Sequence, residues 1–171
     1  GSNVPPHERV PVAWYAPPVL LQAGEELVQS KNFQRNLDRR ESFSPALAPI
    51  DLSARGEREL WIDFIADTGD GGSATFAVAQ AALAAQLELQ DEQGAALTLP
   101  EGDVLLLGGD LAYPGASGPV YQYRFFEPFT MALDPASRFH AGSAGAQKVV
   151  AAIPQNHDWF DSASTFCRYF V

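Results

Sequence analysis

An α/β fold, with a mainly parallel β-sheet and flanking helices, is what this sequence predicts, and three observations carry it. Apolar runs of strand length occupy residues 60–66, 104–107 and 149–153. Each runs into a turn rich in oxygen or nitrogen donors: Asp67-Thr68-Gly69-Asp70-Gly71, Gly108-Gly109-Asp110-Leu111-Ala112-Tyr113-Pro114, and Gln155-Asn156-His157-Asp158. A helix-compatible segment follows each turn, and β-loop-α repeated three times implies layering with crossover helices. Ligands of open α/β sheets bind beyond the carboxyl ends of the strands, so the three turns are expected to form one site.

Taken in order, residues 1–55 read as a Pro-rich and helical extension. Pro5, Pro6, Pro11, Pro17 and Pro18 keep the start extended. A helix is expected from Val19 to about Arg40, with Leu20, Leu27 and Val28 as its apolar stripe and Lys31, Arg35 and Arg39 beyond. Residues 42–53, with Pro45 and Pro49, break it. A packing role for this extension is favoured over a regulatory one.

The domain itself is placed at residues 56–171. Its first strand, 60–66, is apolar on both faces apart from Asp63, the pattern of an internal strand covered by helices. Ser73 reads as an N-cap and residues 74–90 as one helix, since Phe76, Ala79, Leu83 and Leu87 recur at spacings of three and four. Residues 91–94 close it, and 95–103 lead into the strand 104–107. A third helix is expected over 120–133, with Tyr121, Phe125 and Phe129 in the core and a kink or break at Pro128. Gly142–Gly145 reads as a loop, His140 as a surface histidine, and a short helix around 161–170 closes the chain.

The chain of 171 residues is long enough to bury a substantial core. Its net charge of −10 is unevenly spread: residues 1–55 hold six basic and six acidic side chains, the rest five against fifteen. Such a surface repels phosphate backbones, so nucleic-acid binding by a basic surface is not expected. The single cysteine, Cys167, excludes an internal disulfide. No run of 18 apolar residues occurs, so no membrane segment is expected, and a soluble protein of cytoplasmic location is favoured.

Carboxylate, amide, phenolate and imidazole groups at converging strand ends suit hard or borderline cations. Two cations ~3.5–4 Å apart need a bridging anion between them. Asp110, leaving the middle run, is the natural bridge; Asp67 is placed for one metal, Asn156 for the other, and Tyr113 for the first as phenolate. Each turn alone is weak evidence, because Gly-Gly-Asp is common in turns and Asn-His-Asp suits a simple Asx-turn.

In combination and in this order, Asp67-Thr68-Gly69, Gly109-Asp110-Leu111-Ala112-Tyr113 and Gln155-Asn156-His157-Asp158 resemble the calcineurin-like metallophosphoesterases, over roughly residues 60–165. The Asp-x-Gly and Gly-Asp-x-x-Tyr forms look most like the purple acid phosphatase branch, in which the tyrosine binds ferric ion. The resemblance implies the first half of that family's two-sheet sandwich. It also implies two divalent or mixed-valence metal ions (Fe, Mn or Zn) and a phosphate ester substrate, monoester or diester, attacked by a metal-bound hydroxide. Asp67 and Tyr113 would hold the first metal, Asp110 would bridge, and Asn156 would hold the second. His157 would be proton donor or transition-state stabiliser, with Asp158 orienting its imidazole.

Three departures stand out. Gly69 replaces the histidine of the commoner motif, Gln155 replaces a glycine, and the family's later histidines are missing, since only His7, His140 and His157 are present. The missing ligands would come from a C-terminal remainder of the parent domain beyond Val171, and the chain by itself is expected to be inactive. The other readings are a non-catalytic phosphate- or partner-binding module, or a structural fragment whose acidic loops take up adventitious cations.

Overall fold

A computed structural model of the chain describes residues 4–34, 49–53, 59–70, 72–133 and 148–171. The expected loop at Gly142–Gly145, His140, and the basic residues Arg35 and Arg39 lie outside the described residues. The fold is mixed α/β, a small parallel sheet with flanking helices. Strands β1 (Ile62–Ile65), β4 (Val104–Leu107) and β5 (Val149–Ala152) form a three-stranded parallel sheet in the order β1-β4-β5. Its registers run from Ile62 beside Val104 and from Val104 beside Val149. The likeness goes no further than this general class; nothing in it identifies the metallophosphoesterase half-sandwich.

β4 is the central strand, and its Leu105 and Leu107 are 3% and 1% exposed. Side chains alternate between the faces, so Leu105, Leu107, Ile65 and Ala152 share one face. They pack there with Ala79, Leu83, Leu111, Tyr121, Phe125 and Phe129. The expectation of an internal β1 is corrected: among the described residues it is an edge strand, and Ile62 and Phe64 on its other face are 55% and 60% exposed.

Helix α1 (Pro17–Gln34) precedes the sheet, and α2 (Ser73–Ala82) follows β1. Ser73 is not the N-cap. Gly72 holds that place with φ 41°, and Ser73 N–H donates to Arg9 O at 3.1 Å. A Cβ on Gly72 would lie 2.4 Å from the same carbonyl, so close approach of the N-terminal segment decides the residue there.

Instead of continuing to Gln90, α2 stops at Ala82, and β2 (Gln86–Gln90) pairs antiparallel with β3 (Ala96–Pro100) as a separate hairpin. Leu83 and Leu87 fit a helical stripe, whereas Leu87 and Leu89, two residues apart, fit a strand alternation; the turn that follows decides between them. Asp91 Oδ1 accepts from Gln93 N–H (2.9 Å) and Ala95 N–H (2.8 Å), and Gly94 supplies φ 82°.

The third helix is continuous through α3 (Gly118–Tyr121), a π-helical turn (Gln122–Phe126) and α4 (Glu127–Ala132). Pro128 cannot donate to the Arg124 carbonyl, and the widened turn before it lets the helix pass without the expected break. Phe125 and Phe129 pack with ring centres 4.3 Å apart within the core, as expected. A 3₁₀ turn (His157–Trp159) and α5 (Ser164–Phe170) complete the chain.

Asp63, the lone charge in β1, ties the sheet at its entrance. Its Oδ2 accepts from Gly102 N–H at 3.1 Å and from the Lys148 ammonium at 2.5 Å. The Lys148 side chain is fully buried and also lies 3.8 Å from Glu101, which is 5% exposed. Lys148→Met takes the buried ammonium away from both carboxylates. The expected loss is ~2 kcal/mol, below the usual 3–5 for a broken buried pair because Asp63 keeps solvent contact. A lower urea midpoint at unchanged slope is the check.

Candidate functional site

Backbone hydrogen bonds zip the exits of β1 and β4 together. Gly108 N–H donates to Ile65 O (2.7 Å), Asp67 N–H to Gly109 O (3.1 Å), Gly69 N–H to Asp110 O (3.1 Å) and Tyr113 N–H to Gly69 O (3.3 Å). At Gly69 a Cβ would lie 2.4 Å from Ala112 N, so any larger residue there drives the two loops apart. Gly109 does the same toward β5, with φ 88° and its would-be Cβ 2.4 Å from Gln155 N. Gln155 needs no positive φ, which accounts for the absence of glycine before Asn156.

Asp67 and Asp110 take the left-handed conformation, φ 56° and 52°. Aspartate tolerates it better than most residues, at a cost of roughly 1 kcal/mol each. This conformation and the backbone zipper bring the two side chains to one point. Tyr113 Oη lies 2.7 Å from Asp110 Oδ2 and 3.1 Å from Asp67 Oδ1. Burial first, then hydrogen bonding to the two carboxylates, raises the Tyr113 phenol far above its ordinary range, so it keeps its proton. Asp110 Oδ1 accepts His157 N–H at 2.9 Å, which joins the β5 exit to the same corner.

His157 Nδ1 lies 2.9 Å from Pro114 O. A carbonyl only accepts, so the proton sits on Nδ1 and Nε2 is left to exchange one. The imidazole is half-buried and packs edge-on against Tyr113 at 4.5 Å, with Phe160 at 4.5 Å and Trp14 at 6.0 Å. Asn156, just before His157, is exposed and makes no side-chain capping bond.

Asp158 does not orient the imidazole. It is fully buried, its Oδ2 accepting from Asp110 N–H (2.8 Å) and Gln155 N–H (2.9 Å) and its Oδ1 from the Tyr121 hydroxyl. Burial raises its pKa, while the Gln155, Tyr121 and Asp110 donors pull the other way. Successive side chains in a 3₁₀ turn point about 120° apart, which sends His157 outward and Asp158 into the core.

The N-terminal segment completes the site's wall, a contribution that no local signal announced. Trp14 Nε1–H donates to Asp70 Oδ2 at 2.9 Å, and the indole stands edge-on to Tyr113 at 5.5 Å. A cavity of about 370 Å³ opens beside Asp67, lined among others by Phe64, Ile65, Thr68 and Val78.

Among the described residues, no three His, Cys, Asp or Glu side chains gather as a metal site would gather them. The corner has two carboxylates and a phenol, oxygen donors that fit one hard cation. Comparisons with protein-family models, with curated proteins and with solved structures gave no match to this chain.

Two substitutions measure what holds the corner. Asp158→Ala strands two backbone N–H groups and a phenol in the core and should lower stability by ~3 kcal/mol, read by chemical denaturation. Gly69→Ala forces the β1 and β4 exits apart at a cost of ~2 kcal/mol, read as a lower melting temperature. Wild-type stability in either variant would contradict the geometry described.

Proposed function

We propose that this chain carries half of a metal-dependent phosphoester hydrolase site of the calcineurin-like kind, completed in the parent by a C-terminal remainder. The observation that carries the reading is the corner itself. Three oxygens, from Asp67, Asp110 and Tyr113, meet at the exits of adjacent parallel strands, with the His157 ring against the same phenol.

In this reading Asp67 and Tyr113 hold one cation, Asp110 is shared, and Asn156 serves a second. Cations bound there would supply charge to neutralise phosphate oxygens and to acidify the attacking water. The chain's own residues do the rest. The Pro114 carbonyl keeps the His157 proton on Nδ1, so that Nε2, once protonated, donates to the departing ester oxygen. Trp14 and Phe160 fix the ring's plane, and the cavity beside Asp67 has room for the organic part of an ester.

The test is calorimetric titration of the purified chain with Mn²⁺, Zn²⁺ and Fe³⁺. One cation per chain is expected, bound more weakly as pH falls because Tyr113 must release its proton to ligate. Asp67→Asn should weaken it by more than about tenfold. Aryl phosphate hydrolysis by the chain alone should be undetectable. In a parent protein that supplies the remaining histidines, His157→Ala should lower turnover by ~10²–10⁴-fold with metal content unchanged. Cation uptake indifferent to Asp67 would overturn the assignment and leave a phosphate- or partner-binding module as the better reading.

A further inference from the structure

Helix α1 is built inside out. The face it turns inward carries Val19, Ala23, Glu26 and Ser30; Ser30 is 2% exposed, and Glu26 sits against Gly115. The other face carries Leu20, Leu21, Leu27 and Val28, which are 56%, 69%, 46% and 59% exposed. An amphipathic helix normally presents its apolar stripe to the core, so this one presents its stripe to something outside the described fold.

The stripe is symmetric about Gly24. Leu21 and Leu27 lie three residues to either side of it, and Leu20 and Val28 four. A glycine in mid-helix weakens the helix, and here no contact among the described residues requires one, since none of them lies within 4 Å of a Cβ built on Gly24. Leu20, Leu21, Gly24 and Val28, with Glu25 and Gln29, line a shallow groove of about 490 Å³, and Leu27 is not part of it.

We propose that α1 pairs antiparallel with α1 of a second copy of this chain, about a two-fold axis passing at Gly24. A symmetric stripe is self-complementary under that operation. Leu20 meets Val28 of the other copy, Leu21 meets Leu27, and the two bare backbones at Gly24 approach closely. Four large aliphatic side chains from each copy, with the backbone between them, bury roughly 1,000 Å² in total, the lower edge of a specific interface. Glu25 falls at the rim, and each copy carries a net charge of −10, so the dimer is weak and its formation needs salt to screen self-repulsion.

Sedimentation at moderate salt should show a concentration-dependent monomer–dimer equilibrium. Leu21→Asp with Leu27→Asp should shift it to monomer with helix content unchanged, because both sites are exposed in the monomer. Register is tested by cysteine cross-linking in a Cys167→Ser background. Gly24→Cys should form a disulfide dimer under mild oxidation. Lys31→Cys should not, because seven residues from the axis the two thiols stand roughly 21 Å apart along the helix. A chain that stays monomeric at about 100 μM, or a dimer unaffected by the double aspartate, overturns the proposal. Equal cross-linking through positions 24 and 31 would mean parallel helices and overturns it as well.

Discussion

The buried carboxylate of Asp158 is the fixed point of the strand-end region. It accepts from the backbone of the β4 exit at Asp110, the backbone of the β5 exit at Gln155, and the hydroxyl of Tyr121 on α3. Hydrogen bonds to a charged group contribute about 1.5–3 kcal/mol each, which opposes the desolvation of a fully buried acid. Tyr121 is itself fully buried in the aromatic core. The placement of the corner is thus inherited from the packing of the helix layer. Asp110 faces Tyr113 at a defined distance because its own N–H has been claimed from below.

A second restraint comes from Arg9, 4% exposed, whose guanidinium reaches Val4 O (3.0 Å), Tyr123 O and Glu127 and stacks 3.8 Å from the Tyr123 ring. The Arg9 carbonyl receives the first N–H of α2, Val12 N–H donates to Asp70 O, and Arg124 reaches both Val10 O and Asp70 O. The N-terminal residues, which turn through a 3₁₀ helix at Pro6–Glu8 where an extended start was expected and enter α1 at Pro17, are therefore knit into the α/β unit. Trp14 stands against Tyr113 and His157 because of these bonds; no local preference of its own sequence puts it there.

The parts of this structure legible in the sequence are those with a local cause. Three apolar runs ending in donor-rich turns became three parallel strands whose exits adjoin, and the aromatic spacing of Tyr121, Phe125 and Phe129 marked a core helix. What was not legible depends on partners distant in sequence. The edge position of β1 is a matter of sheet order; the stretch 86–90 is a local exception, settled by the turn at Asp91–Gly94. Ser73 lost its cap role to a carbonyl 64 residues earlier. Asp158 sits beside His157 in the motif yet serves a different layer, since the sense of the turn between them is set by what lies beneath.

The left-handed backbone at Asp67 and Asp110 bears on how mutagenesis of this corner is to be interpreted. Alanine at either position removes a carboxylate and also installs a residue poorly tolerated at positive φ, so a lost property could reflect the main chain as easily as the missing oxygens. Asparagine keeps both the shape and the tolerance of that conformation while removing the charge, and glycine relieves the conformation while removing the side chain altogether. Comparing these two replacements separates what the carboxylate does from what the bend does, a distinction that alanine scanning of this corner would blur.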